Sequence, residues 1–212
     1  MLILNLLSTP YVLIGLLLSL LIGITVHEFS HAWMANRLGD PTPRIMKRLS
    51  LNPLRHLDPF GTIFLLLVGF GWGKPVPYNP HYLRHGKKDE LKLALAGPIS
   101  NFILALIFAL PYRFSYYLHL DLSANPLFII CAVITEINII LAVFNLLPIP
   151  PLDGSKIIFL FVSEDLRFQL ERIGPLILMG LIFIIYILKI NVFGIILSPI
   201  IEWLLNFVRT FP

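Results

Sequence analysis

The chain has 212 residues, of which 57% are apolar and 13% charged, with a formal net charge of +4 and a mean hydropathy of +0.84. An average soluble domain carries about 25% charged residues, so this composition excludes an ordinary soluble domain and points to an all-α polytopic membrane protein forming one domain over residues 1–212. The basic residues lie in loops between apolar blocks rather than among aromatics on one surface, which argues against a nucleic-acid partner.

The first predicted helix runs from about Pro10 to Leu38, with proline in its first turn and Gly39-Asp40-Pro41 as its stop signal. No Lys or Arg precedes it, as a signal peptide would require, so it is read as a retained span. A basic, proline-containing loop covers 41–58. The apolar run 60–69 is too short to cross a bilayer and reads as a re-entrant element. Gly69 to Pro77 is too rich in Gly and Pro for a helix, and is expected to form an extended loop or β-hairpin dipping into the membrane. Spans are predicted near Leu91–Tyr112, Pro126–Leu147, Pro175–Leu188 and Val192–Val208, with a short helix over Gly154–Phe161 and a turn at Lys189-Ile190-Asn191. That makes about five transmembrane helices plus the re-entrant element. Cys131, the one cysteine, sits in an apolar block and reads as a small buried hydrophobe.

Orientation follows from the basic residues. Placing the end of the first helix in the cytoplasm puts fourteen of the sixteen Lys and Arg there, Arg209 among them, and leaves Arg113 and Lys189 outside. The N-terminus is then predicted outside.

His27-Glu28-Phe29-Ser30-His31 carries the chemistry. Residues four apart on a helix lie one turn apart on the same side, so His27 and His31 can share one zinc ion, and Glu28 is placed to act as general base. From Tyr11 to His27 is about 24 Å of helix against a hydrocarbon core of about 30 Å, which sets the motif inside the membrane near its cytoplasmic face. A catalytic zinc needs a third protein ligand and an open position. Asp153 is the strongest candidate, because the prolines of Pro148-Ile149-Pro150-Pro151 break a helix at membrane depth just before it. The competing role for Asp153 is an N-cap of the next helix. Asp58 and His56 come next as third ligand, while His81 and His85 read as solvated loop residues. Glu136 is either a proton relay or a neutral acid bonded to Asn138 or a neighbouring helix. Asn101 reads as a packing residue near the metal.

Three motifs together, His27-Glu28-x-x-His31, Asn145-x-x-Pro148-x-Pro150-x-x-Asp153-Gly154 and the weaker Ala96-Gly97-Pro98-Ile99-Ser100-Asn101, resemble the site-2 protease family of intramembrane zinc metalloproteases. The segment ending Lys74-Pro75-Val76-Pro77 is similar to a compact bacterial or archaeal branch without a PDZ domain. The resemblance covers most of 11–162 and leaves 163–212 as extra C-terminal helices. It implies one Zn2+ on His27, His31 and Asp153, Glu28 as the catalytic residue, and Asn145 holding substrate. The implied reaction is hydrolysis of peptide bonds in or near transmembrane segments, with membrane proteins as substrates. Gly71 and Gly73, in the extended loop, are candidates for pairing with the unwound substrate. The reading from another class is a small membrane transporter or metal-handling protein, which would call for a repeat of the broken helix; the sequence has none.

Overall fold

The computed structural model describes residues 9–68, 71–122, 124–188 and 192–210. Helix α1, Pro10–Leu38, has the predicted bounds and ends on Gly39, whose φ of 111° is left-handed and suits only a residue without Cβ. The short α2, Thr42–Ile45, and a 3-10 turn at Pro53–Arg55 follow, then α3, Pro59–Val68. Beyond them come α4 (Lys87–Phe108), α5 (Leu110–Tyr117), α6 (Pro126–Asn145), α7 (Ser155–Phe159), α8 (Glu164–Leu188) and α9 (Val192–Thr210). Four stretches among the described residues are long and apolar enough to cross a membrane: Pro10–Leu38, Lys87–Ser115, Pro126–Asn145 and Glu164–Ile185. Helix α9 covers the remaining predicted block.

Helices α1, α4 and α6 pack against one another and carry the site. The buried residues of α1 include Gly15, Ser19, Gly23, His27, His31 and Ala35, a row at four-residue spacing. Such a row winds slowly around a helix, by roughly 40° per step. Its upper part therefore meets α6 and its lower part meets α4. A Cβ on Gly15 would stand 2.9 Å from that of Val133, and one on Gly23 would stand 2.9 Å from Asn138 Oδ1. Small residues here let the backbones approach closely enough for polar side chains to bridge them.

A second apolar cluster joins Ala105 and Ala109 with Ile139 and Val143 of α6 and Leu197, Leu205 and Val208 of α9. The last helix is thus part of the packed body. Its end differs from the expected side. The Arg209 guanidinium lies 5.0 Å from the Tyr112 ring, and Tyr112 itself packs 4.3 Å from Phe128 at the start of α6. Arg209 therefore shares the Arg113 end of the bundle, opposite Lys87 and Glu90. Charge counting missed this because a single terminal Arg carries no information about which way the preceding helix runs.

Helix α8 begins well before Pro175 because its charged first turns are neutralised. Lys87 pairs with Glu164 at 2.7 Å, Arg167 with Glu90 at 2.9 Å, and Lys156 with Glu171 at 3.1 Å. The re-entrant run is helical over α3. The expected hairpin reduces, among the described residues, to one antiparallel bridge between Leu57 and Gly73, with Lys74 N–H donating to His56 O at 2.7 Å. Gly69, Phe70 and the 189–191 turn lie outside the described residues.

Candidate metal centre

His27 and His31 project from the lower part of the α1 row toward α4. Their Nε2 atoms are 3.0 Å apart, and Asp153 Oδ2 stands 3.2 Å from the first and 3.3 Å from the second. Ligand atoms set tetrahedrally about zinc at 2.0–2.1 Å lie roughly 3.3 Å from one another. All three groups are buried or nearly so, and Asp153 Oδ2 has no hydrogen-bond partner. A buried carboxylate oxygen left without a donor is expensive, and a cation between it and two imidazole lone pairs removes the cost. The donor set and spacing fit zinc.

The other ring nitrogens set the tautomers. His31 Nδ1 lies 2.8 Å from Leu93 O, which can only accept, so the proton is on Nδ1 and the lone pair of Nε2 faces inward. His27 Nδ1 lies 2.6 Å from Asn101 Oδ1. Gly97 makes room for both rings: a Cβ there would meet His31 Nε2 at 2.5 Å and His27 Nε2 at 2.7 Å. Sequence reasoning saw Ala96-Gly97-Pro98 only as a weak motif. The sign that could have found its role is a glycine one helical turn before the buried Asn101, on a helix that must face two imidazoles.

Asp153 reaches the histidines because α6 stops at Asn145 and the chain doubles back. Gly154 N–H donates to Asn145 O at 2.7 Å. A Cβ on Gly154 would come within 2.1 Å of Leu146 O, so only glycine permits this close turn. The cap of α7 is Gly154, without a side-chain hydrogen bond, so Asp153 is not spent on capping. The Asn145 amide donates to Leu141 O at 2.9 Å, within its own helix.

Glu28 is half-buried and its Oε2 accepts from Val76 N–H at 3.1 Å. Gly73 passes beside it, its Cβ position 3.4 Å from Oε1. Arg48, itself buried, donates to Lys74 O and so clamps this segment. The fallback ligands do other work. His56 is fully buried with Nε2 2.6 Å from Ser50 O, and burial pushes its imidazole below the usual range, toward the neutral form. Asp58 accepts from Gly61 N–H at 2.8 Å and caps α3. Glu136 is exposed on the bundle surface, while Asn138 bonds elsewhere, so of the alternatives for Glu136 the pairing with Asn138 is not formed. An apolar groove of about 250 Å³ lies between α1 and α3, walled by Leu17, Leu21, Ile24, Gly61 and Trp72. Ile24 is also the residue nearest a Gly73 Cβ, at 2.9 Å, so the groove opens beside Glu28.

Comparison with known proteins agrees with this chemistry. The chain matches peptidase family M50 over residues 15–119 and 117–188. This chain belongs to that family, the site-2 proteases. YwhC of Bacillus subtilis, named as a zinc metalloprotease candidate, is 39% identical over 160 residues, covering 74% of this chain and 73% of its own length. Rip2 of Mycolicibacterium smegmatis, named in the same way, is 33% identical over 63% of this chain and 52% of its own. The regulator of sigma-E protease RseP of Salmonella typhimurium is 30% identical over 47% of this chain and 25% of its own length. No solved structure matches the chain. The family makes this chain a zinc metalloprotease of the membrane and leaves the transporter reading without support.

Proposed function

We propose that His27, His31 and Asp153 hold the zinc ion, that Glu28 is the catalytic base, and that the chain is one intramembrane domain cutting transmembrane segments of membrane proteins in regulated intramembrane proteolysis. The observation that carries the ligand assignment is the unpartnered, buried Asp153 Oδ2 facing two imidazole nitrogens at 3.2 and 3.3 Å. When bound, zinc supplies Lewis acidity, polarising a carbonyl and making water acidic enough to lose a proton near neutral pH.

The chain's own groups do the rest. Glu28 takes the proton of the attacking water and returns it to the leaving nitrogen. Val76 N–H holds Oε2 in place, which makes Oε1, beside Gly73, the oxygen that moves the proton. A substrate helix must unwind before its peptide bonds are reachable, and the segment containing Gly71 and Gly73 offers backbone for the unwound strand to pair with. Asn145 supports the Asp153 loop through its carbonyl, and its amide would leave Leu141 O to contact substrate. The basic loops support a site toward the cytoplasm with the N-terminus outside. Residues 11–162 carry the chemistry, and 163–212 complete the packing through α9.

The test is cleavage of a tagged single-pass substrate by purified protein in bilayers, with and without chelator. Glu28→Gln should lower the rate by roughly 10²- to 10⁴-fold with zinc content unchanged, and Asp153→Ala should lose the metal. Full activity in Glu28→Gln, or chelator-insensitive cleavage, would sink the mechanism.

A further inference from the structure

A chain of buried polar side chains leads away from the metal centre through all three core helices. Asn138, in the middle of α6, is fully buried. Its Nδ2 lies 2.9 Å from Ile134 O and 3.2 Å from Ser19 Oγ. A main-chain carbonyl can only accept, so the NH2 end of this amide must face Ile134 and the oxygen must face away. That oxygen meets Asn101 Nδ2 at 2.9 Å. Asn101 Nδ2 also donates to Gly23 O at 3.2 Å, so both of its hydrogens are committed to acceptors. Its Oδ1 is left facing His27 Nδ1, 2.6 Å away, and there it can only accept.

We propose that Asn138 and Ser19 are positioning residues for the metal centre, acting through Asn101 to hold the His27 proton on Nδ1 and its Nε2 lone pair toward His31 and Asp153. The direction of every bond follows from the Ile134 carbonyl at the far end. If the amides were reversed, Asn101 would present a donor to His27, and the proton would shift to the nitrogen that must bind metal. Ser19, Asn101 and Asn138 are each 0% exposed, so no water is at hand to repair a broken link. Gly23 is what lets the two amides meet against α1, since a Cβ there would press on Asn138 Oδ1 at 2.9 Å. The inference rests on His27 being a ligand, as proposed above.

The test is competitive zinc titration of the metal-free full chain in detergent, beside the absorption spectrum of its cobalt-substituted form. Asn138→Leu, close in volume, should bind zinc on the order of 10-fold more weakly and shift the cobalt bands. Asn138→Asp, neutral when buried, can still accept from Asn101 and donate to Ile134, and should return affinity to within about two- to threefold of wild type. Ser19→Ala, which removes least volume, should weaken binding a few-fold and serves if Asn138→Leu does not fold. Wild-type affinity in both Asn138→Leu and Ser19→Ala overturns the proposal, as does a loss in Asn138→Leu that Asn138→Asp does not restore, since that marks packing alone. Failure of the wild-type chain to bind zinc would instead strike the ligand assignment.

Discussion

Helices α4 and α8 look alike on a hydropathy scale, yet half of an apolar 18-residue stretch within Lys87–Ser115 is buried in the protein and only 11% of the corresponding stretch within Glu164–Ile185 is. In lipid, apolar side chains gain little by leaving one hydrocarbon for another, so hydropathy alone cannot tell a bundle helix from one that faces the bilayer. What separates them is small and polar content. Helix α4 buries Ala94, Ala96, Gly97, Ser100, Asn101 and Ala105. Helix α8 exposes Leu176, Phe183, Ile187 and Leu188, and its first turns are tied to the rest of the protein by ion pairs to Lys87, Glu90 and Lys156.

The sharpest way to break this contrast is at Gly97. Gly97→Ala puts a methyl within 2.5–2.7 Å of both imidazoles and should cut zinc affinity on the order of 100-fold, measured by chelator competition. A paired substitution comes next. Gly23→Leu forces α1 from Asn138 and Leu141 and should cost about 3 kcal/mol, whereas a Cβ on Gly180 of α8 meets nothing within 4 Å and Gly180→Leu should change stability by less than about 0.5 kcal/mol. Gly23 lies on α1, which packs in the bundle with α4, so equal losses in denaturation midpoint would erase the distinction between a bundle helix and one that faces the bilayer. Arg167→Ala leaves the buried Glu90 without its 2.9 Å partner and should cost about 1–3 kcal/mol. Amide exchange should quicken in α8 while zinc affinity stays unchanged. The smallest change is a label. With Cys131→Ser as background, a thiol reagent that does not cross membranes should reach Arg209→Cys and Arg113→Cys from one side and Lys156→Cys from the other. Labelling of Arg209→Cys together with Lys156→Cys would contradict the run of α9.

Much of this was legible beforehand because it depends on spacing along one helix. The histidine pair, the break at the prolines and the bounds of α1 all follow from local pattern. Asp153, singled out because prolines at membrane depth require a reason, is also the carboxylate that the structure brings beside that pair. What did not come through depends on which helix faces which. Asn101 read as packing, and only the α1–α4 contact reveals that its oxygen meets His27. Glu136 read as a proton relay or as a neutral acid bonded to Asn138 or a neighbouring helix, and the Asn138 alternative fails because residues two apart on a helix point to different sides. The early start of α8 was hidden because Glu164 and Arg167 look like loop residues until Lys87 and Glu90 are brought opposite them.

The four-residue row on α1 has a mechanical meaning. Because it winds from α6 at Gly15 to α4 at His31, α1 sits between its neighbours like a threaded rod: it cannot slide without turning, or turn without driving Gly23 into Asn138. Inserting or deleting one residue between Ser19 and His27 would rotate the imidazoles by about 100° and unmake the centre. The parts beside the centre that carry no such thread are α3, the wall of the groove at Trp72, and the glycine-bearing segment that rests on Glu28.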